Sequence, residues 1–121
     1  MSRSDSERVD DMLEACRKLA EIVELGRAEY DGNWLIGSAA SYELAVIGEA
    51  MAHLTQGFLE RHSELPARQA KSLRNLVMHE YFRTDPDILW DTITKDVPNL
   101  ASALRSLGIE GAVPRAGESD D

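Results

Sequence analysis

Apolar residues in this chain return every three or four positions and almost never every second one. Val9, Met12, Leu13, Cys16, Leu19, Ile22 and Val23 make one such series. Leu35, Ile36, Ala39, Tyr42, Val46, Ile47, Ala50, Leu54 and Phe58 make another. That period puts each series on one face of an α-helix, whereas a half-buried strand would alternate. β-branched residues, which favour strands, are sparse. Stripes of this kind are hidden by laying helix against helix. The expected architecture is all-α: an up-down bundle of four or five helices with short loops and antiparallel neighbours. A length of 121 residues allows one domain with a modest core.

Local signals set the expected boundaries. Ser4 and Glu7 have capping-box spacing and open a helix that should run to about Glu29, with Gly26 a weak point inside it. Asp31-Gly32-Asn33 reads as a turn, and Asn33 caps a second helix from Trp34 to about Arg61. Gly37, Gly48 and Gly57 along it mark close helix approach or a bend. Ser63 and Pro66 start a third helix, to His79 or Glu80, with Ala70, Leu73, Leu76 and Val77 on its apolar side. Asp85-Pro86 starts a fourth, carrying Leu89, Ile93, Val97, Leu100, Leu104 and Leu107. Pro98 predicts a kink or restart near Val97. From Gly108 the pattern stops. Residues 1–108 form the expected helical domain, and 109–121 read as a disordered acidic tail.

The formal net charge of −9 argues, taken globally, against a nucleic-acid binder. The charge is uneven, however. Residues 61–83 hold Arg61, Arg68, Lys71, Arg74 and Arg83 against Glu64 and Glu80, a local +3, so the rest carries −12. Such a segment is either a solvated helix face or a surface for phosphate. No apolar run is long enough to span a membrane, and no apolar signal core follows Met1–Ser6. With a lone cysteine, Cys16, no internal disulfide forms, and a cytoplasmic chain is expected. Cys16 falls on an apolar stripe and reads as core. Glu49 and His53 share a helix face, but two ligands are too few for a metal; a local hydrogen bond or solvated pair is expected. His62, at a helix end, reads as a cap.

The basic segment contains Arg74-Asn75-Leu76-Val77-Met78-His79-Glu80-Tyr81-Phe82. A guanidinium, an amide and an imidazole together suit phosphoryl chemistry. Histidine moves protons near neutral pH, and arginine grips phosphate with two hydrogen bonds. Asn75 can orient the phosphate or the hydroxyl, or hold the histidine tautomer. Arg74 and His79 are five apart, so on one helix they diverge by roughly 140°. Either the helix frays at His79, or two copies face each other across a two-fold axis and share one cleft. The plain alternative is that Arg74 and His79 only tie helix ends together.

The spacing of arginine, four residues, histidine, one residue and tyrosine resembles the motif of HepT-like toxins in the HEPN superfamily. Tyr42-Glu43-Leu44-Ala45-Val46-Ile47-Gly48-Glu49-Ala50 is similar to that family's second-helix segment. Ile88-Leu89-Trp90-Asp91-Thr92-Ile93 and Asp96-Val97-Pro98-Asn99-Leu100 are similar to the segment after the motif. The likeness covers roughly residues 8–107. It implies a two-fold homodimer of HEPN bundles with facing motifs. It further implies a metal-independent ribonuclease toxin that needs no cofactor. An MntA-like nucleotidyltransferase antitoxin would restrain it by placing AMP on the motif tyrosine. Carried over by position, Arg74, Asn75 and His79 are catalytic and Tyr81 is the modified residue. Arg68, Lys71 and Arg83 are candidate contacts to RNA phosphates. The alternative is a non-catalytic subunit that binds nucleotide or substrate for a nucleotidyltransferase.

Overall fold

The computed structural model describes residues 3–63, 65, 75 and 85–107. Every regular element among them is helical: α1 (Asp5–Leu25), α2 (Arg27–Gly32), α3 (Trp34–Ala52), α4 (Gln56–Arg61), α5 (Pro86–Asp91), a π-helical turn (Thr92–Asp96) and α6 (Val97–Ser106). The all-α expectation is met. None of the described helices is long and apolar enough to cross a membrane.

α1 starts as its sequence predicts. The Ser4 hydroxyl accepts from the Glu7 N–H at 3.1 Å, and the Glu7 carboxylate accepts from the Ser4 N–H at 2.8 Å. It ends at Leu25, not near Glu29, because Gly26 leaves helical space with φ +92°. That conformation suits glycine and strains any L-residue. The chain restarts at once as α2. Asn33 then caps α3, its side-chain oxygen accepting from the Leu35 N–H at 3.0 Å.

The helix expected over 34–61 is two helices. α3 stops at Ala52, and Thr55 caps α4, accepting from the Phe58 N–H at 3.1 Å. The break is held from a distance: the Asp5 carboxylate accepts from both the Thr55 N–H, at 3.0 Å, and its hydroxyl, at 2.6 Å. The third expected helix lies outside the described residues except at Asn75, which is helical and exposed. Residues 108–121 also lie outside them.

Asp85 caps α5, accepting from the N–H groups of Asp87 and Ile88, with Pro86 in the first turn. The disturbance expected near Val97 is the π turn. Proline has no N–H and its ring crowds the carbonyl four residues back, here Thr94. The Val97 N–H reaches five residues back to the Thr92 carbonyl, which widens the turn ahead of Pro98. The Thr92 and Thr94 hydroxyls add bonds of 2.8 Å to the Ile88 and Trp90 carbonyls.

α1 packs most extensively on α3 and then on α6. Val9, Met12, Cys16 and Leu19 meet Ala40, Leu44 and Ile47, with Ile93, Leu100 and Leu104 closing the core. Burying each of the larger aliphatic side chains stabilises the fold by ~1.5–3 kcal/mol. Cys16 is 4% exposed, and burial pushes its thiol up to about 11, as befits a core residue.

Candidate functional site

Asn75 is the one motif residue that the structure describes, exposed on a helix. Arg74, His79 and Tyr81 lie outside the described residues, as do Arg68, Lys71 and Arg83. The described bundle places the residues that flank the motif segment in the chain.

The upstream point is the end of α4. The His62 N–H donates to the Phe58 carbonyl at 3.0 Å, and the ring packs on Phe58 with centroids 4.5 Å apart. The His62 carbonyl then accepts from the Leu65 N–H at 3.1 Å. His62 is thus the expected C-terminal cap of its helix, by its backbone.

The downstream point is a clasp between α2 and α5. The Tyr30 hydroxyl donates to the Pro86 carbonyl at 2.8 Å, and its ring meets Trp90 at 4.9 Å between centroids. Arg27 lies over both rings, at 5.6 and 5.8 Å, and pairs with Asp31 at 2.9 Å and with Asp87. The two carboxylates raise the guanidinium pKa further, so it stays charged. Burial raises the Tyr30 phenol pKa, partly offset by Arg27, which keeps the hydroxyl a donor at neutral pH. Sequence reasoning missed this clasp. Its local signal was the Arg27, Tyr30, Asp31 spacing on one helix face; Asp87 and Trp90 join only through the fold.

Beside the clasp lies an open groove of about 700 Å³, bounded by Tyr30, Asp31, Trp34, Ser38, Tyr42 and Pro86. Trp34 and Tyr42 are 76% and 66% exposed, and Pro86 stands four positions after Phe82, the last residue of the motif stretch. One wall of the groove is thus close to the motif in sequence. Aromatic faces beside hydroxyls suit a planar or amphipathic occupant.

His53 makes the local contact expected of it: Nδ1 lies 2.8 Å from the Glu49 carbonyl oxygen and 3.8 Å from its carboxylate. Among the described residues no three His, Cys, Asp or Glu side chains are grouped so as to hold a metal ion.

Residues 12–107 match the family described as Ribonuclease HepT-like. A protein of Thermococcus cleftensis, named a probable ribonuclease HepT, is 29% identical over 108 residues, covering 88% of this chain and 98% of the relative. A protein of Caldanaerobacter subterraneus subsp. tengcongensis, named as an inferred RNase, is 29% identical over 100 residues, or 82% of this chain and 89% of the relative. A similarly named protein of Methanocaldococcus jannaschii is 31% identical over 91 residues, or 74% and 84%. No solved structure matches significantly. A match that runs from within α1 to just past the end of α6 takes in most of the described bundle and the motif segment with it: the chain belongs to the HepT-like ribonuclease family.

Proposed function

We propose that this chain is the toxin of a toxin–antitoxin pair, a cytoplasmic, metal-independent endoribonuclease that acts on cellular RNA such as tRNA or mRNA as a homodimer. The observation that carries this reading is the complete Arg74-Asn75-x-x-x-His79-x-Tyr81 motif in a chain of a ribonuclease family. His79 of one protomer takes the proton of a ribose 2′-hydroxyl. The freed oxygen attacks the adjacent phosphorus and forms a 2′,3′-cyclic phosphate. The bond to the 5′-oxygen breaks, and the partner protomer's imidazolium protonates that oxygen. Arg74 stabilises charge on the non-bridging oxygens. Asn75, exposed on its helix, orients the phosphate. Arg68, Lys71 and Arg83 hold flanking phosphates.

The cognate antitoxin is an MntA-like nucleotidyltransferase that transfers AMP to Tyr81. The added phosphate sets negative charge beside a phosphate site and repels RNA. The overall charge of −9 suits docking on a basic protein surface.

The test is purified full-length chain with labelled RNA, with and without EDTA. Cleavage is expected in both conditions. Arg74→Ala and His79→Ala should each lower the rate by ~10²-fold or more, the scale of a lost acid–base group. Cleavage left intact in His79→Ala overturns the site, and cleavage lost in EDTA overturns the metal-free mechanism.

A further inference from the structure

Arg17 pairs with Glu14 and Glu21 inside α1, a local arrangement. Arg27 pairs across the fold. Its guanidinium holds Asp31 on its own helix and also reaches Asp87 in α5, sixty positions on. It lies over Tyr30 and Trp90, one ring from each helix. Two carboxylates and two rings, shared between two helices, give a planar fork one seat. A lysine ammonium keeps the charge but neither the fork nor the stacking.

Stability does not account for this arrangement. The side chains of Arg27, Asp31 and Asp87 are 41%, 52% and 77% exposed, and pairs so open to water add little to stability. The core supplies stability through residues such as Met12, Leu44, Ile47 and Leu100. What an exposed pair of fixed geometry supplies is placement. In α5, Leu89 is buried and Trp90 half-buried, while the first three residues are exposed. Apolar packing therefore holds the end of this short helix, and the clasp holds its start.

That start is the first element described after the motif. Tyr30 donates to the Pro86 carbonyl at 2.8 Å, which fixes position there. Direction is fixed one residue earlier. Asp85 is extended, with φ −134° and ψ 99°, as suits the residue ahead of a proline, and its carboxylate accepts from the Asp87 and Ile88 N–H groups. Phe82 stands four positions before Pro86, and four residues of chain reach at most ~14 Å. Where α5 begins therefore bounds where the motif ends. Catalytic groups tolerate little error in place: a shift of ~1 Å can cost ~10²-fold in rate.

We infer that Arg27 is a positioning residue for the motif: through Asp87, Tyr30 and Trp90 it holds the start of α5, so that the chain enters that helix from one place and in one direction. Its effect on rate rests on the ribonuclease reading. Arg27 itself contacts no RNA, since Asp31 and Asp87 take up its charge.

Arg27→Lys keeps the charge and removes the fork. Arg3→Lys is the control, because Arg3 binds Asp11 through two bonds of 2.7 and 2.9 Å at the start of α1. Two readouts are taken on the full chain: steady-state cleavage of labelled RNA, and the backbone amide signals of Asn75 and His79 in nitrogen–proton correlation spectra. Arg27→Lys is expected to lower kcat roughly tenfold or more at unchanged KM and melting temperature, and to move both signals. Arg3→Lys is expected to change none of these. If Arg27→Lys fails to fold, Asp87→Asn, which leaves Arg27 with Asp31 and the rings, carries both readouts. Unmoved signals or a wild-type kcat overturn the inference. So does a raised KM at wild-type kcat, which makes Arg27 an RNA contact, and so does an equal loss in Arg3→Lys. If the wild type cleaves no RNA, the ribonuclease reading falls, and the signals alone decide whether Arg27 places the segment. Cleavage by the wild type with unmoved signals in Arg27→Lys keeps that reading and removes this one.

Discussion

Asp96 is a half-buried carboxylate where the π turn meets α6. Burial raises its pKa above the ordinary 3.8, and Asp91 adds to the rise while Lys95 opposes it. A carboxyl with a raised folded pKa disfavours folding once ionised. Its stability contribution is complete below pH 3.8 and is lost as pH rises through the folded value. Asp96→Asn, uncharged throughout, should therefore raise the melting temperature near neutral pH and change little below pH 3.8. Thermal melts in both conditions check this, and an equal shift in both would assign the effect to packing. Residues differ in how plainly the sequence announces them. Cys16 sits on an apolar stripe, and its burial followed from that. Gly26 did not announce its break, because glycine is tolerated in helices and Tyr30 continues the apolar series beyond it. Only its φ of +92° shows that the helix ends there.

Helices with local signals were legible and those with distant ones were not. Ser4, Asn33 and Asp85 cap the helices that their sequences mark, because each bonds an N–H two or three residues on. The gap between α3 and α4 depends on Asp5, fifty positions away from Thr55, and an unbroken apolar pattern hid it. Pro98 announced a disturbance, but a wide turn and a kink look alike in sequence. The clasp between α2 and α5 was equally hidden, and it is open to test. Tyr30→Phe keeps the ring contact with Trp90 and removes the hydrogen bond to Pro86. It should cost about 1 kcal/mol in urea denaturation, the net worth of one such bond. A cost near zero would mean that the Arg27 pairs alone hold α5.

On the scale of the whole molecule, fold class and family were readable from one sequence, since period and motif run through most of the chain. The candidate site was readable as chemistry but not as geometry. Asn75 alone of its residues is described, so the roles of Arg74, His79 and Tyr81 stand on residue type and family resemblance. The motif segment carries a local +3 in a chain of −9, so the charge suited to phosphate is concentrated in sequence around the motif. Co-expression with an MntA-like nucleotidyltransferase should add AMP-sized increments to the intact mass, absent in Tyr81→Phe. Unchanged mass, or increments that survive that substitution, would remove Tyr81 as the acceptor. The His62 cap and the Tyr30–Pro86 bond belong to the described bundle, and they flank the motif in the chain. A relative's motif of equal length, grafted between positions 62 and 86, therefore meets the same two anchors, and the RNA that such a chimera cuts shows whether substrate choice travels with the graft.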